Sequence, residues 1–149
     1  FLDKIAPATE KLSAAGLKFL YHNHAHEFIR YGGVRPLDYL RDRTDAGKFG
    51  FLPDFYWIQY AGVSPVKFME EYAGRADVVH LKDMRAAPEG QNRMAEIYEG
   101  NMDYGAIVGA CKKAGVLWAA VEQDVCDRDP FESLKISFDN IVRSGQIAG

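Results

Sequence analysis

Four short apolar runs in this chain end alike, and that recurrence narrows the fold more than any other feature. Val78-Val79-His80-Leu81-Lys82-Asp83 is a strand-like run that closes on a histidine, a lysine and an aspartate. Leu17-Lys18-Phe19-Leu20-Tyr21-His22-Asn23-His24, Phe49-Gly50-Phe51-Leu52-Pro53-Asp54 and Trp118-Ala119-Ala120-Val121-Glu122-Gln123-Asp124 share the design. Apolar strands that alternate with helices imply a parallel sheet covered on both faces. Right-handed crossovers then bring every strand's C-terminal end to one side. That is the side on which α/β proteins build their sites.

The segments between the runs read as helices. Leu2, Ile5, Ala8 and Leu12 fall on one face of a helix over Leu2 to Ala15, stopped by Gly16. The first strand spans Leu17 to His22, and a loop follows through Gly32 and Gly33. Pro36 suits the first turn of a helix carrying Leu37 and Leu40, which Gly47 closes. The second strand spans Phe49 to Asp54. Ser64 and Pro65 start the next helix, with Val66, Met69 and Ala73 inward and Gly74 at its end. The third strand runs from Ala76 to Lys82, and Arg85 to Asn101 reads as a long polar loop. Asp103 caps a helix in which Tyr104, Ile107, Val108, Cys111 and Ala114 recur at the helical period, ended by Gly115. The fourth strand spans Val116 to Glu122. Asp129-Pro130 opens a last helix, expected to turn Phe131, Leu134, Phe138, Ile141 and Val142 inward.

The 149 residues fit one domain, with charges of both signs interspersed and a net charge of -3. No basic stripe favours nucleic acid, and no apolar run is long enough to span a bilayer. Cys111 and Cys126 imply no disulfide framework, so a reducing, cytoplasmic setting is the expectation, although the chain starts at Phe1 and a removed leader stays open.

At the strand ends, Asp54, His80 and Glu122 offer carboxylate and imidazole ligands from three strands, and His22 or His24 adds a fourth. Such a set suits Mn²⁺, Co²⁺, Zn²⁺ or Mg²⁺ in an open site. A metal of that kind can chelate a hydroxy-carbonyl group, while a nearby carboxylate moves the adjacent proton. Each residue also has a plainer role. A strand-end aspartate is often a cap, a histidine often a hydrogen-bonded core residue, and Lys82 can reach solvent with Asp83 as its partner. Four such residues at one sheet edge favour the site. Glu27 follows the histidine pair and could turn back toward it. Tyr56, Trp57 and Gln59 follow Asp54, either to pack on a sugar ring or to fill a groove.

At these residues the chain resembles the xylose-isomerase-like barrel superfamily, specifically the bacterial sugar phosphate isomerase/epimerase proteins. The likeness runs in order from Gly16 to His24, through Asp54 to Tyr60 and Val79 to Met84, then Glu99 to Tyr104 and Val121 to Asp124. It implies a TIM-type (β/α)8 barrel with a divalent metal held by its last four strands. Asp54, His80 and Glu122 match three of the family's ligands. Many relatives have a glutamate where this chain has His22, so the pair of acid–base glutamates is reduced to Glu122. His22, His24 or Glu27 is left to supply the fourth ligand or second base. Trp57 stands where some sugar epimerases have a substrate-contacting histidine. Lys82 is expected to stabilise negative charge or bind a substrate hydroxyl, and His24, Glu27, Trp57 and Gln59 to contact substrate.

A full barrel needs eight βα units and about 250 residues. This chain supplies four strands and resembles the C-terminal half. Its open edges and apolar face need a cover: a second copy of the chain, or the missing N-terminal half of the barrel. The leading functional expectation is a metal-dependent isomerase or epimerase of a sugar or keto-sugar derivative. The alternatives are a lyase or hydrolase on keto-glycosides, which needs only one base, and a catalytically silent half-barrel.

Overall fold

Side chains that receive the first free N–H groups set where several helices begin. Ser64 accepts from the Lys67 N–H, Asp103 from Ala106, and Asp129 from Phe131 and Glu132. The structure is a computed structural model that describes residues 1–88 and 90–147. Helix α1 spans Leu2–Ala14 and leads into strand β1, Phe19–His22. A 3-10 turn at His26–Phe28 precedes α2, Pro36–Arg43, and β2, Phe49–Leu52. Then come α3, Phe55–Tyr60, α4, Pro65–Glu71, and β3, Val78–Leu81. A hairpin of β4, Asp83–Ala86, and β5, Asn92–Ala95, is followed by α5, Tyr104–Ala114, β6, Trp118–Val121, and α6, Pro130–Ser144.

Strands β1 and β2 pair in parallel, as do β3 and β6. The two pairs join through a parallel bridge between Asp54 and His80, where the His80 N–H donates to the Pro53 carbonyl at 2.8 Å. The order across the sheet is therefore β1-β2-β3-β6, a half-barrel. The core packs Phe49, Phe51, Val79 and Leu81 of the middle strands against Phe68, Met69 and Tyr72 from α4 and its C-terminal end, and Ile107, Val108 and Cys111 of α5. Val79 and Leu81 face these helices, so His80 and Lys82 fall on the opposite, inner face.

The segment after Asp54, assigned no element from sequence, forms the short helix α3. Two expectations change. The stretch Arg85 to Asn101, of which Glu89 lies outside the described residues, contains most of the β4–β5 hairpin. Most consequentially, Phe131, Leu134, Phe138 and Val142 of α6 are exposed, while Ser133, Ser137 and Asn140 are buried. The buried stripe serves irregular backbone after β5. The Ile97 N–H donates to Ser137 Oγ, Asn140 Nδ2 donates to the Ile97 carbonyl, and Ser133 Oγ donates to Glu96. Those polar groups need partners more than the apolar stripe needs this particular neighbour.

Strand β6 is open as well, with Leu117 and Trp118 exposed. Open apolar clefts flank both outer strands. One of about 850 Å³ beside β1 is lined by Phe1, Leu2, Tyr21 and Tyr39, and one of about 200 Å³ beside β6 by Leu117, Trp118 and Ile147.

Asp83 does not pair with Lys82. It is fully buried, and its carboxylate accepts the backbone N–H groups of Met84, Tyr98, Gly100 and Met102 at 2.7, 3.0, 3.1 and 3.4 Å. Burial raises its pKa, with those N–H groups opposing the shift. Gly100 is required there, because a Cβ would sit 2.5 Å from the Met84 carbonyl oxygen. Asp83→Ala strands several buried donors and should destabilise the chain by about 3 kcal/mol. Urea unfolding should show a lower midpoint at unchanged slope; an unchanged midpoint would rule out this role.

Candidate functional site

The inner face of the sheet delivers His22 from the end of β1, Asp54 just past β2, His80 from β3 and Glu122 just past β6. One ligand atom from each lies within 4.8 Å of the others. His22 Nε2 is 3.3 Å from Asp54 Oδ2, and His80 Nδ1 is 3.8 Å from that same oxygen and 2.7 Å from Glu122 Oε2. The sequence offered His22, His24 and Glu27 as alternatives for the fourth position, and the geometry brings His22 into the group.

Asp54 has the capping role and a place in the group at once. Its Oδ1 accepts the Trp57 N–H at the start of α3, and its own N–H donates to Asn23 Oδ1. Its Oδ2 faces His22, His80 and Lys82. Burial works against its charge, yet the hydrogen bond with His22, the nearby His80 ring and the Lys82 ammonium outweigh it. The carboxyl is held well below the usual carboxylate range.

Lys82 lies inside the cluster and does not reach solvent; its side chain is 1% exposed. Its Nζ is 3.0 Å from Asp54 Oδ2, 2.9 Å from Glu122 Oε2 and 3.0 Å from Asp124 Oδ2. Burial disfavours the ammonium, but these carboxylates outweigh it and raise its pKa. Asp124 is the neighbour that received no role from the sequence. The signal was there, since Asp124 follows Glu122 at a spacing of two and so shares its face while the chain stays extended.

The remaining residues divide. His24 packs edge-on to His22 at 4.9 Å between ring centroids, and lies 5.4 Å from Trp57. Trp57 in turn has the Lys82 ammonium 5.9 Å from its ring. Gln59 is exposed on α3. Glu27 is buried and turned away from the quartet, accepting from Tyr21 Oη and the His24 N–H and lying 2.9 Å from the His26 ring.

Two polar atoms test whether the quartet fits a cation. His80 Nδ1 and Glu122 Oε2 are buried and, among the described residues, make no hydrogen bond, although they lie 2.7 Å apart. Buried polar atoms normally have partners. Two imidazoles and two carboxylates converging with such atoms among them match the donor set of a divalent transition metal.

Comparison with known proteins agrees with the fold. The family description "Xylose isomerase-like TIM barrel" matches residues 1–134. The inosose dehydratase of Geobacillus kaustophilus (strain HTA426) is 32% identical over 84 residues, which are 56% of this chain and 27% of that protein. A sugar phosphate isomerase/epimerase from Parabacteroides distasonis superposes with a TM-score of 0.81 at 26% identity, over 95% of this chain and 50% of that one. A 3-keto-D-glucoside 4-epimerase from E. coli shares the fold with a TM-score of 0.68 at 13% identity, over 95% of this chain and 51% of that one. The chain thus spans about half the length of these solved structures, and it belongs to the xylose isomerase-like TIM barrel family.

Proposed function

We propose that the protein takes the proton next to the ketone of a keto-sugar or keto-cyclitol and then eliminates water, with a divalent cation held by His22, Asp54, His80 and Glu122. The quartet carries this reading, together with the close approach of His80 Nδ1 and Glu122 Oε2 within it, 2.7 Å apart and without a hydrogen bond among the described residues. A divalent cation bound there supplies Lewis-acid polarisation of the ketone and an adjacent oxygen.

Glu122 is the base, because its side chain is 39% exposed against 28% for His22, 21% for His80 and 0% for Asp54. Its carboxylate takes the proton, and the C–H electron pair becomes the double bond to the next carbon. The hydroxyl on that carbon departs as water, carrying the proton that Glu122 returns. One carboxyl serves both transfers in turn. Inversion by two bases needs a second acid–base group on the opposite face, and His22 stands where relatives have that glutamate. The likeness to proteins named inosose dehydratase supports the same choice.

Lys82 sets a positive charge beside the developing oxyanion. Trp57 and His24 wall the substrate, and the Trp57 indole N–H, without a partner among the described residues, is a donor for a hydroxyl. Gln59 is assigned to the outer rim of that wall. Glu27 fixes the His24 backbone and so the wall's position. A second reading, isomerisation or epimerisation of the same substrates, keeps the abstraction step and returns the proton to carbon. The likeness to the P. distasonis isomerase/epimerase favours it.

A cover for the open half-barrel follows from the same family. We assign it to the other (β/α)4 half of a barrel, which pairs in parallel with the free edges of β1 and β6 and packs on the α6 stripe. The solved relatives are about twice as long as the matched region, which supports that occupant.

Four measurements test these proposals. Saturating Mn²⁺ should raise the melting temperature by about 6 °C at a hundredfold excess over Kd, and Asp54→Ala or His80→Ala should abolish the gain. No gain in the unaltered chain would count against both the dehydratase and the isomerase readings. Proton NMR in D₂O with a keto-cyclitol and free ketoses separates those two. Loss of the H–C–OH signal next to the alpha carbon, with the carbon skeleton intact, marks elimination, deuterium incorporation with altered configuration marks the isomerase, and Mn²⁺ binding with neither marks a silent half-barrel.

The pH dependence of stability provides a third measurement. The folded pKa of Asp54 is depressed, so its stabilising contribution is full above the unfolded value of about 3.9 and is lost as pH falls toward the folded value. Asp54→Asn should therefore be less stable at pH 7 and show a flatter decline below pH of about 4 in urea unfolding; parallel curves would contradict the depressed pKa. Finally, the chain alone should bind an apolar dye strongly, and co-expression with the N-terminal half of the P. distasonis relative should suppress that signal. A dye-silent chain of twice the expected mass would give the cover to a second copy instead.

A further inference from the structure

The ammonium of Lys82 and any cation in the quartet lay claim to the same oxygens. Asp54 Oδ2 and Glu122 Oε2 are the carboxylate atoms nearest His80 Nδ1, at 3.8 and 2.7 Å. They are also the atoms that Lys82 Nζ touches, at 3.0 and 2.9 Å. Two cations sharing two oxygens repel each other strongly at such range, most of all where water is excluded. Lys82 is too buried to escape to solvent; its side chain is 1% exposed. Its third contact, Asp124 Oδ2 at 3.0 Å, is the one that lies outside the quartet.

We propose that Asp124 is a positioning residue that retains Lys82 beside the quartet, so that Asp54 and Glu122 are released to a divalent cation while the ammonium stays within reach of substrate oxygen. The inference rests on the metal-quartet reading above and adds a role for a residue outside it. The charges suit this division. Three carboxylates around one ammonium leave two negative charges unmatched, which a divalent cation neutralises. Asp124 is also free to adjust, because its side chain is 44% exposed and sits beyond the end of β6. Without Asp124, the Lys82 ammonium has only the two quartet carboxylates left and competes directly for them.

The test is calorimetric titration of the metal-stripped chain with Mn²⁺, for the unaltered protein, Asp124→Asn, Asp124→Glu, Lys82→Met and the Lys82→Met/Asp124→Asn pair. Asp124→Asn should weaken Mn²⁺ binding by about tenfold or more, by removing the alternative anchor of a competing charge. Asp124→Glu should restore most of the affinity. Lys82→Met should bind Mn²⁺ at least as tightly as the unaltered chain, and in that background Asp124→Asn should change affinity by less than about threefold. An equal loss in both backgrounds would show that Asp124 acts as bulk negative charge and overturn the proposal, as would no loss in either. If Lys82→Met does not fold, Lys82→Gln with and without Asp124→Asn supplies the same comparison. Mn²⁺ binding by the unaltered chain with Asp124→Asn unaffected overturns this inference alone, whereas no Mn²⁺ binding at all overturns the metal reading with it.

Discussion

Asp54 lies fully buried beneath two imidazoles and an ammonium, and its backbone and both carboxylate oxygens are engaged at once. Its N–H is held by Asn23 from beyond β1, its Oδ1 starts α3, and its backbone forms the bridge to His80 that joins the β1–β2 pair to the β3–β6 pair. Only Oδ2 is directed into the cluster. A carboxylate buried this deeply would ordinarily be neutral, because desolvation penalises its charge. It stays ionised because His22, His80 and Lys82 surround that one oxygen. The residue whose backbone joins the two strand pairs therefore also charges the site through its side chain.

Burying Lys82 among carboxylates is costly in itself, since desolvating charges offsets much of their attraction. An apolar core of the same volume would serve stability as well or better. The arrangement makes sense as preorganisation: fixed charges aimed at a place where a substrate's charge develops need not reorganise when it does. Asp83, next in sequence, shows the contrasting use of a buried carboxylate. It satisfies backbone donors from a loop, touches none of the quartet, and fixes the ground on which Lys82 stands.

The four parallel strands and the convergence of Asp54, His80 and Glu122 were legible because apolar runs ending in polar residues report both strand direction and the shared end, while the half-barrel came from the resemblance to a barrel family. His22 emerged over His24 and Glu27 only in three dimensions, since a spacing of two puts both histidines on one face and leaves the loop's path open. Glu27 could not be placed from sequence because its partners, Tyr21 and the His24 N–H, depend on how that loop turns. The outward face of α6 was hidden for a related reason. Its stripe of Phe131, Leu134, Phe138 and Val142 signals a helix with an apolar side. Periodicity does not say which partner covers that side; Ser137 and Asn140 found the Ile97 backbone, and Ser133 the Glu96 carboxylate, closer at hand.

All four residues of the quartet come from this one set of strands, and that constrains what closure of the barrel would change. Asp54 and His80 sit on the middle strands, bridged to each other, and gain no new neighbour in the sheet when the outer edges are paired. His22 and Glu122 terminate the two outermost strands, β1 and β6, so a strand added at either edge runs directly beside one of them. Closure would thus leave the centre of the site as it stands and bear on its two flanks. Glu122, the more exposed of those flanking side chains and the base assigned above, follows β6, whose residues are mostly exposed where those of β1 are half-buried. A desolvated carboxylate is a stronger base than a wet one. Under the proposed reading, a strand paired with β6 would therefore raise the basicity of Glu122, and one paired with β1 would not.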